Sequence, residues 1–298
     1  MNLTAWIGLA VMIGSETATL ARIDPFWSWN TPIAWTGFIL FADGIVWQAR
    51  RNSWIRSNGR EFVLLALASI PLWLVFEGYN RFIRNWYYTG LPEDFALRMF
   101  GYAWSFATIW PAIFEGAELV AVVRAGKAGS AGKAEEQKPP ALPAWSIAAG
   151  VVMLVLPFLA PEAIAVYLAA PVWLGFIFLL DPLNARLGSE SLLADLRAGR
   201  RDRLINLATS GMICGVLWEF WNYWSRGKWH YTVPIMEQLK IFEMPVPGYL
   251  GFPAFAIECF TMYVFVRAVA SYLASVSPGL SATEGSRATA RPARTIAL

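Results

Sequence analysis

Histidine is nearly absent: the 298-residue chain carries one, His230. A lone imidazole removes the usual routes to haem, di-iron or catalytic zinc, which draw on several histidines, so neither a metal nor a cofactor is expected. Cysteine is almost as scarce. Cys214 and Cys259 lie inside apolar stretches without Cys-x-x-Cys spacing, which points to small buried side chains rather than a disulfide or thiolate site. Charge is scarce as well, at 15% of residues against roughly 25% in a soluble domain. The net charge of +3 is too small to suggest a nucleic-acid partner. The N-terminus lacks the basic stretch that opens a secretory signal, so a cleaved leader is not expected.

What the chain has in excess is apolar surface. Hydrophobic residues make up 57% of it, with 16 tryptophans and a mean hydropathy of +0.44. A spanning helix needs about 20 mostly apolar residues. Runs of that kind fall at about 4–21, 31–48, 62–82, 98–123, 144–159, 163–181, 204–224 and 248–275. The expected fold is therefore an all-α, multi-pass integral membrane protein of about eight transmembrane helices. The segment 125–143 and the residues from 277 onward are rich in Ala, Gly, Ser, Pro and charge, with little to bury. They are expected to be a flexible cytoplasmic linker and a disordered tail. With both termini cytoplasmic, 17 of the 24 Lys and Arg fall on inner segments and 7 on outer ones, as the positive-inside rule requires of a protein in the cell membrane.

The chain also repeats itself. Trp35-x-Gly37-Phe38-Ile39-x-x-x-Asp43 returns as Trp173-x-Gly175-Phe176-Ile177-x-x-x-Asp181, and Glu77-x-x-Asn80-x-x-x-Arg84 returns as Glu219-x-x-Asn222-x-x-x-Arg226. Trp86-Tyr87-Tyr88 matches Trp229-His230-Tyr231, Gly101-Tyr102 matches Gly248-Tyr249, and Pro111 with Glu115 resembles Pro253 with Glu258. The pattern predicts two four-helix units, 1–124 and 144–276. Four spans per unit keep both copies in the same orientation, as parallel repeats.

Carboxyls inside apolar helices are costly unless neutral or partnered, and so mark candidate sites. Spacing of three places Glu77 over Asn80 and Glu219 over Asn222, and the asparagines, with Arg84 and Arg226 one turn further, are their prospective partners. Glu258 and Glu115 lie deeper in the last and fourth apolar runs, and Glu118 shares a helix face with Glu115. Glu77, Asn80, Glu219, Asn222, Glu258 and Glu115 are the candidate catalytic residues. Asp43 and Asp181 are read as structural, pairing with Arg50 or Arg186. The aromatics Trp86, Tyr87, Trp218, Trp221, Tyr223, Trp224, Trp229 and His230 are candidate contacts for a hydrophobic small molecule or lipid. Their alternative role is an interfacial aromatic belt. The proline- and glycine-rich stretch 228–258 cannot be one helix. It is expected to lie across the interface and turn at Pro245-x-Pro247-Gly248, with Glu243 as an exposed loop carboxylate.

Glu219, Trp229, Pro234 and Ile241-Phe242-x-x-Pro245 resemble, in order, a motif of the membrane-bound lycopene cyclases of the bacterial heterodimeric and fungal type. The likeness covers about 40 residues of the second unit, with a fainter echo in the first. That family's Pro-x-Glu-Glu is replaced here by Pro245-Val246-Pro247-Gly248. The resemblance implies tandem helical repeats and an isoprenoid or carotenoid substrate. Independently of it, a buried carboxylic acid can protonate an isoprenoid double bond, and Trp and Tyr faces can stabilise the resulting carbocation. Three functions remain open at this point: an enzyme acting on a lipid-soluble substrate by carboxyl acid–base chemistry, a proton-coupled transporter or channel, and a non-catalytic subunit binding a pigment, lipid or protein.

Overall fold

The structure, a computed structural model, describes residues 1–125 and 143–276. Eight long helices occupy the eight apolar runs: α1 (Leu3–Leu20), α2 (Phe26–Arg50), α4 (Gly59–Ile83), α5 (Phe95–Ala125), α6 (Ala144–Leu159), α8 (Ala169–Arg186), α10 (Asp202–Trp224) and α11 (Gly251–Val276). Short helices α3 (Trp54–Ser57), α7 (Glu162–Ala165) and α9 (Leu192–Arg197) lie between them. The expected linker begins one residue late, since Ala125 is still helical; the rest of it, except Pro143, and the expected tail lie outside the described residues.

Five segments are long and apolar enough to cross a membrane: α1, α4, α5, α10, and Val246–Leu273, which contains most of α11. α6 is apolar but short. α2 and α8 carry much of the bundle's buried polarity, including Asn30, Thr31, Asp43, Asp181 and Asn184. The outer faces of α1, α4 and α6 expose Ile7, Ile13, Leu64, Leu67, Val152 and Phe158. An apolar surface of that extent suits a lipid environment rather than water.

Prolines shape the long helices. Pro32 lacks the N–H for a bond to the carbonyl four residues earlier and crowds that carbonyl, and α2 breaks at Trp29 (φ −126°, ψ 21°). The sixth helix begins at Ala169, six residues later than the apolar run, because 162–168 closes into α7 and a turn. Pro171 then sits in the first turn of α8, where its missing N–H costs nothing.

Several contacts occur twice. A Cβ on Gly8 would lie 2.3 Å from the Phe41 nitrogen and 2.5 Å from the Gly37 carbonyl, so α1 and α2 touch backbone to backbone. Gly150 meets Leu179 and Gly175 in the same way, at 2.6 and 2.8 Å, between α6 and α8. Small residues are what permit such approach. Asp43 accepts the Ile55 N–H at the start of α3; Asp181 accepts Ser191 and the N–H groups of Leu192 and Leu193 at the start of α9. Both aspartates are therefore helix caps, and the pairings expected with Arg50 and Arg186 do not form. Arg84 bridges to Glu162, and Arg226 lies 4.0 Å from Asp24. Neither arginine reaches the glutamate on its own helix.

At the end of the bundle opposite Met1, the α4–α5 and α10–α11 connections carry strands. Strands β1 (Trp86–Thr89) and β2 (Lys228–Tyr231) pair antiparallel, with Trp86 opposite Tyr231, Tyr87 opposite His230, and Tyr88 opposite Trp229. A second ribbon, β3 (Lys240–Ile241) with β4 (Met244–Pro245), leads through a 3₁₀ turn (Val246–Leu250) into α11. The segment expected to lie flat on the interface is thus folded back on the bundle.

Candidate functional site

A cavity of about 550 Å³ opens at this end of the bundle, within the range of about 300–1,000 Å³ usual for small-molecule sites. Seven tryptophans line it: Trp29, Trp35, Trp73, Trp86, Trp173, Trp218 and Trp229, with Tyr88, Tyr102, Tyr231, Phe106 and Phe255 among the other walls. The rings form a connected lattice. Trp73 lies 5.7 Å from Trp218 and 6.1 Å from Trp86, Trp218 lies 5.5 Å from Trp229, and Trp173 meets Phe255 edge-on at 5.2 Å. Residues from α2, α4, α5, α8, α10, α11 and both strands of the β1–β2 ribbon contribute, so the two halves of the chain enclose one chamber.

Strand alternation decides which ribbon residues face it. Successive side chains of a strand point to opposite sides, so Trp86 and Tyr88 face the cavity with Trp229 and Tyr231. Tyr87 and His230 turn the other way and stack on each other at 5.3 Å. Asn80 and Asn222 hold the ribbon. Asn222 Nδ2 donates to the Trp229 carbonyl at 2.8 Å, and its Oδ1 accepts the Trp229 N–H at 2.9 Å. Asn80 treats Trp86 alike, at 2.8 and 3.2 Å, and also accepts the Asn85 N–H.

The candidate carboxyls stand behind the aromatic wall. Glu77 Oε1 accepts Trp73 Nε1 at 2.9 Å, Trp86 Nε1 at 3.3 Å and the Tyr88 hydroxyl at 2.5 Å. Glu219, fully buried, has its Oε1 at 3.0 Å from the Tyr231 hydroxyl, which also accepts Trp229 Nε1 at 3.0 Å. Burial pushes both phenols well above the ordinary tyrosine range, and the adjoining glutamates push the same way. Tyr88 and Tyr231 therefore present neutral hydroxyls to an apolar chamber. Ser28, Thr31, Asn85, Arg98, Ser105 and Lys228 also line the cavity, and Glu77 and Glu219, which do not, meet it through the two phenols.

No family model, curated protein or solved structure matches the chain. The site's own geometry carries the functional reading.

The other candidate residues fall elsewhere. Trp218 lines the cavity, but Trp221 is packed behind it against Trp35 at 4.9 Å. Tyr223 and Trp224 pack together at 4.9 Å on the bundle surface, 39% and 41% exposed. Glu258 is buried facing the Phe176 backbone, and Glu115 is buried in α5; neither lines the cavity. Tyr88 and Tyr231 are not among the expected contacts, because nothing in the two short segments that hold them predicts a strand.

Glu243 is not an exposed loop carboxylate. It accepts Lys228 Nζ at 3.1 Å and lies 2.9 Å from His230 Nδ1, while His230 Nε2 meets Thr89 Oγ1 at 3.0 Å. This cluster ties the β3–β4 ribbon, whose Met244 and Pro245 line the cavity, to the outer side of β1–β2. Burial alone would raise the Glu243 carboxyl, but hydrogen bonds and charge from His230 and Lys228 outweigh it and leave it lowered. A lowered carboxyl stabilises the fold fully above its unfolded value of about 4.3, and that contribution is lost as pH falls through the folded value. The protection of residues 240–250 against amide hydrogen exchange, corrected for the intrinsic pH dependence of the exchange rate, is accordingly expected to fall below about pH 4.3 and to be constant over that step in Glu243→Gln. An equal fall in both proteins would exclude this tether.

Proposed function

We propose that this chain is a membrane-embedded enzyme that protonates an apolar, lipid-soluble alkene of the isoprenoid or carotenoid class. The observation that carries it is the pairing of a tryptophan-walled cavity with two phenol–carboxyl couples, Tyr88 with Glu77 and Tyr231 with Glu219. Proton addition to a carbon–carbon double bond needs a neutral acid in an apolar site. The carbocation so formed needs walls that attract positive charge without adding to it, and indole faces are the best of the side chains for this. Cyclisation or double-bond migration then ends by proton loss, so no cofactor is required by the chemistry.

The architecture proposed with this function is a bundle of eight spans in two parallel repeats, in the cell membrane with both termini cytoplasmic. Supporting the repeat are the doubled glycine contacts, the doubled aspartate caps and the crossed pairs Arg84–Glu162 and Arg226–Asp24. Tyr87 pairs across the ribbon with His230, its own counterpart in the sequence repeat, as a two-fold axis between them would require. Lipid-facing side chains on α6 favour its crossing despite its length. α2 and α8, enclosed by neighbours, can carry polar groups that a lone span could not.

The test is mass spectrometry of lipid extracts from a host making acyclic isoprenoids and carotenoids. Cells with the wild-type chain are expected to accumulate an isomer of a host lipid that is absent from cells with Glu219→Gln. Identical profiles with and without the chain would sink the reading.

A further inference from the structure

The two phenol–carboxyl couples occupy matching places in the sequence repeat but have different hydrogen-bond inventories. Glu77 Oε1 receives three donors, two of them indole N–H groups. Indole nitrogen can only donate, so Glu77 Oε1 is held as an acceptor. Glu219 has a single hydrogen-bond contact, with Tyr231, and its Oε2 is buried with none. The Trp229 indole and the Glu243 backbone N–H approach Glu219, yet the indole's hydrogen bond goes to the Tyr231 oxygen.

One difference is that Trp229, the counterpart of Trp86, gives its indole N–H to Tyr231; the other lies four residues before each glutamate. Trp73, four residues before Glu77, donates to it; the residue four before Glu219 is Gly215. That space is filled by Phe252, whose ring would lie 2.1 Å from a Cβ on Gly215. One couple has kept an indole donor and the other has a hydrocarbon ring in its place.

We propose that Glu219 carries the acid proton and delivers it through Tyr231, while Glu77 is the carboxylate behind Tyr88 that takes up the proton the resulting cation loses. The proposal rests on the alkene-protonating reading above. With Glu219 neutral, its O–H donates to the Tyr231 oxygen, which already accepts Trp229 Nε1–H. The phenol's own hydrogen is then left to point into the cavity. In the step itself the alkene π pair takes the Tyr231 hydrogen and forms a C–H bond. Tyr231 oxygen takes the Glu219 hydrogen as its own O–H bond breaks, leaving a carboxylate at Glu219 and a carbocation in the chamber. The cation loses a neighbouring C–H hydrogen to the Tyr88 oxygen as Tyr88 passes its own to Glu77. The product is an isomer, and one proton has moved from Glu219 to Glu77; exchange with solvent resets both. Other ionisable groups near Glu219 are Glu243 on the β3–β4 ribbon and Tyr249 on the 3₁₀ turn. Tyr102 of α5 lies near Glu77.

Infrared difference spectroscopy of the full chain in lipid nanodiscs tests this without substrate. Subtracting Glu219→Gln from wild type is expected to leave a protonated-carboxyl carbonyl band. Subtracting Glu77→Gln is expected to leave the two carboxylate stretches and no such band. Tyr231→Phe, which keeps both glutamates, is expected to shift the Glu219 band, and Tyr88→Phe to leave it in place. Carboxylate stretches from Glu219, or a carbonyl band from Glu77, would overturn the assignment. Because the readout needs no turnover, a correct assignment in a chain that isomerises nothing would count against the enzyme reading alone.

Discussion

Tyr231→Phe is expected to lower the rate of isomer formation by about 10²–10⁴-fold, the usual contribution of a positioned acid or base, with little loss of ligand affinity. The substitution keeps the ring that lines the cavity and removes only the hydroxyl between Glu219 and the chamber. Affinity should hold because the walls are aromatic, and seven of the lining residues are tryptophans whose fluorescence reports occupancy. Initial rates and tryptophan quenching by a polyene, measured on the same nanodisc samples, separate the two effects. A fall in rate and affinity together would mark Tyr231 as a packing residue. An unchanged rate would remove it from the reaction. The Phe variant also leaves Trp229 Nε1 without its acceptor, so quenching in the empty protein gives the control for a disturbed wall.

Asn222→Ala is expected to destabilise the bundle by about 2–6 kcal/mol, since it strips the Trp229 N–H and carbonyl of their partners and each orphaned buried group costs about 1–3 kcal/mol. Asn222 is fully buried, so water cannot substitute. Asn80→Ala removes three bonds of the same kind but from a half-buried position, where water recovers part of the loss. The smaller effect is therefore expected there despite the larger number of bonds. Reversible unfolding in mixed micelles measures both. Because Asn222 fixes the strand that carries Trp229 and Tyr231, ligand affinity should fall with stability in Asn222→Ala, in contrast to Tyr231→Phe. Equal stability of Asn222→Ala and wild type would show that the ribbon is held by its aromatic face instead.

The helices were legible because a long apolar run leaves the backbone few alternatives: its N–H and C=O groups must be satisfied within the segment. All eight runs became helices, and the clearest displacement, at Ala169, followed local proline chemistry. Asp43 and Asp181 were rightly read as structural, but their partners are backbone amides of the next short helix, which charge counting does not reveal. Glu243 was misread for a related reason. A carboxylate between prolines looks solvent-exposed until the fold brings Lys228 and His230 against it.

The candidate site was partly legible. Repetition singled out Glu77, Asn80, Glu219 and Asn222, which the structure places beside one cavity. It matched Tyr88 with Tyr231, which face in, as well as Tyr87 with His230, which face away, and so did not tell the two pairs apart. Four-residue strands carry no periodicity strong enough to stand out from coil, and their pairing joins residues 139 to 145 positions apart. By itself the sequence determined the apolar helical character of the chain, because burial in lipid is a property of composition and local period. Only tertiary structure decided that the tryptophans of both halves meet around one chamber, that the asparagines clamp strands rather than carboxyls, and that Phe252 stands where an indole donor stands in the other half. Those are contacts between distant segments, set by packing that no single window of sequence contains.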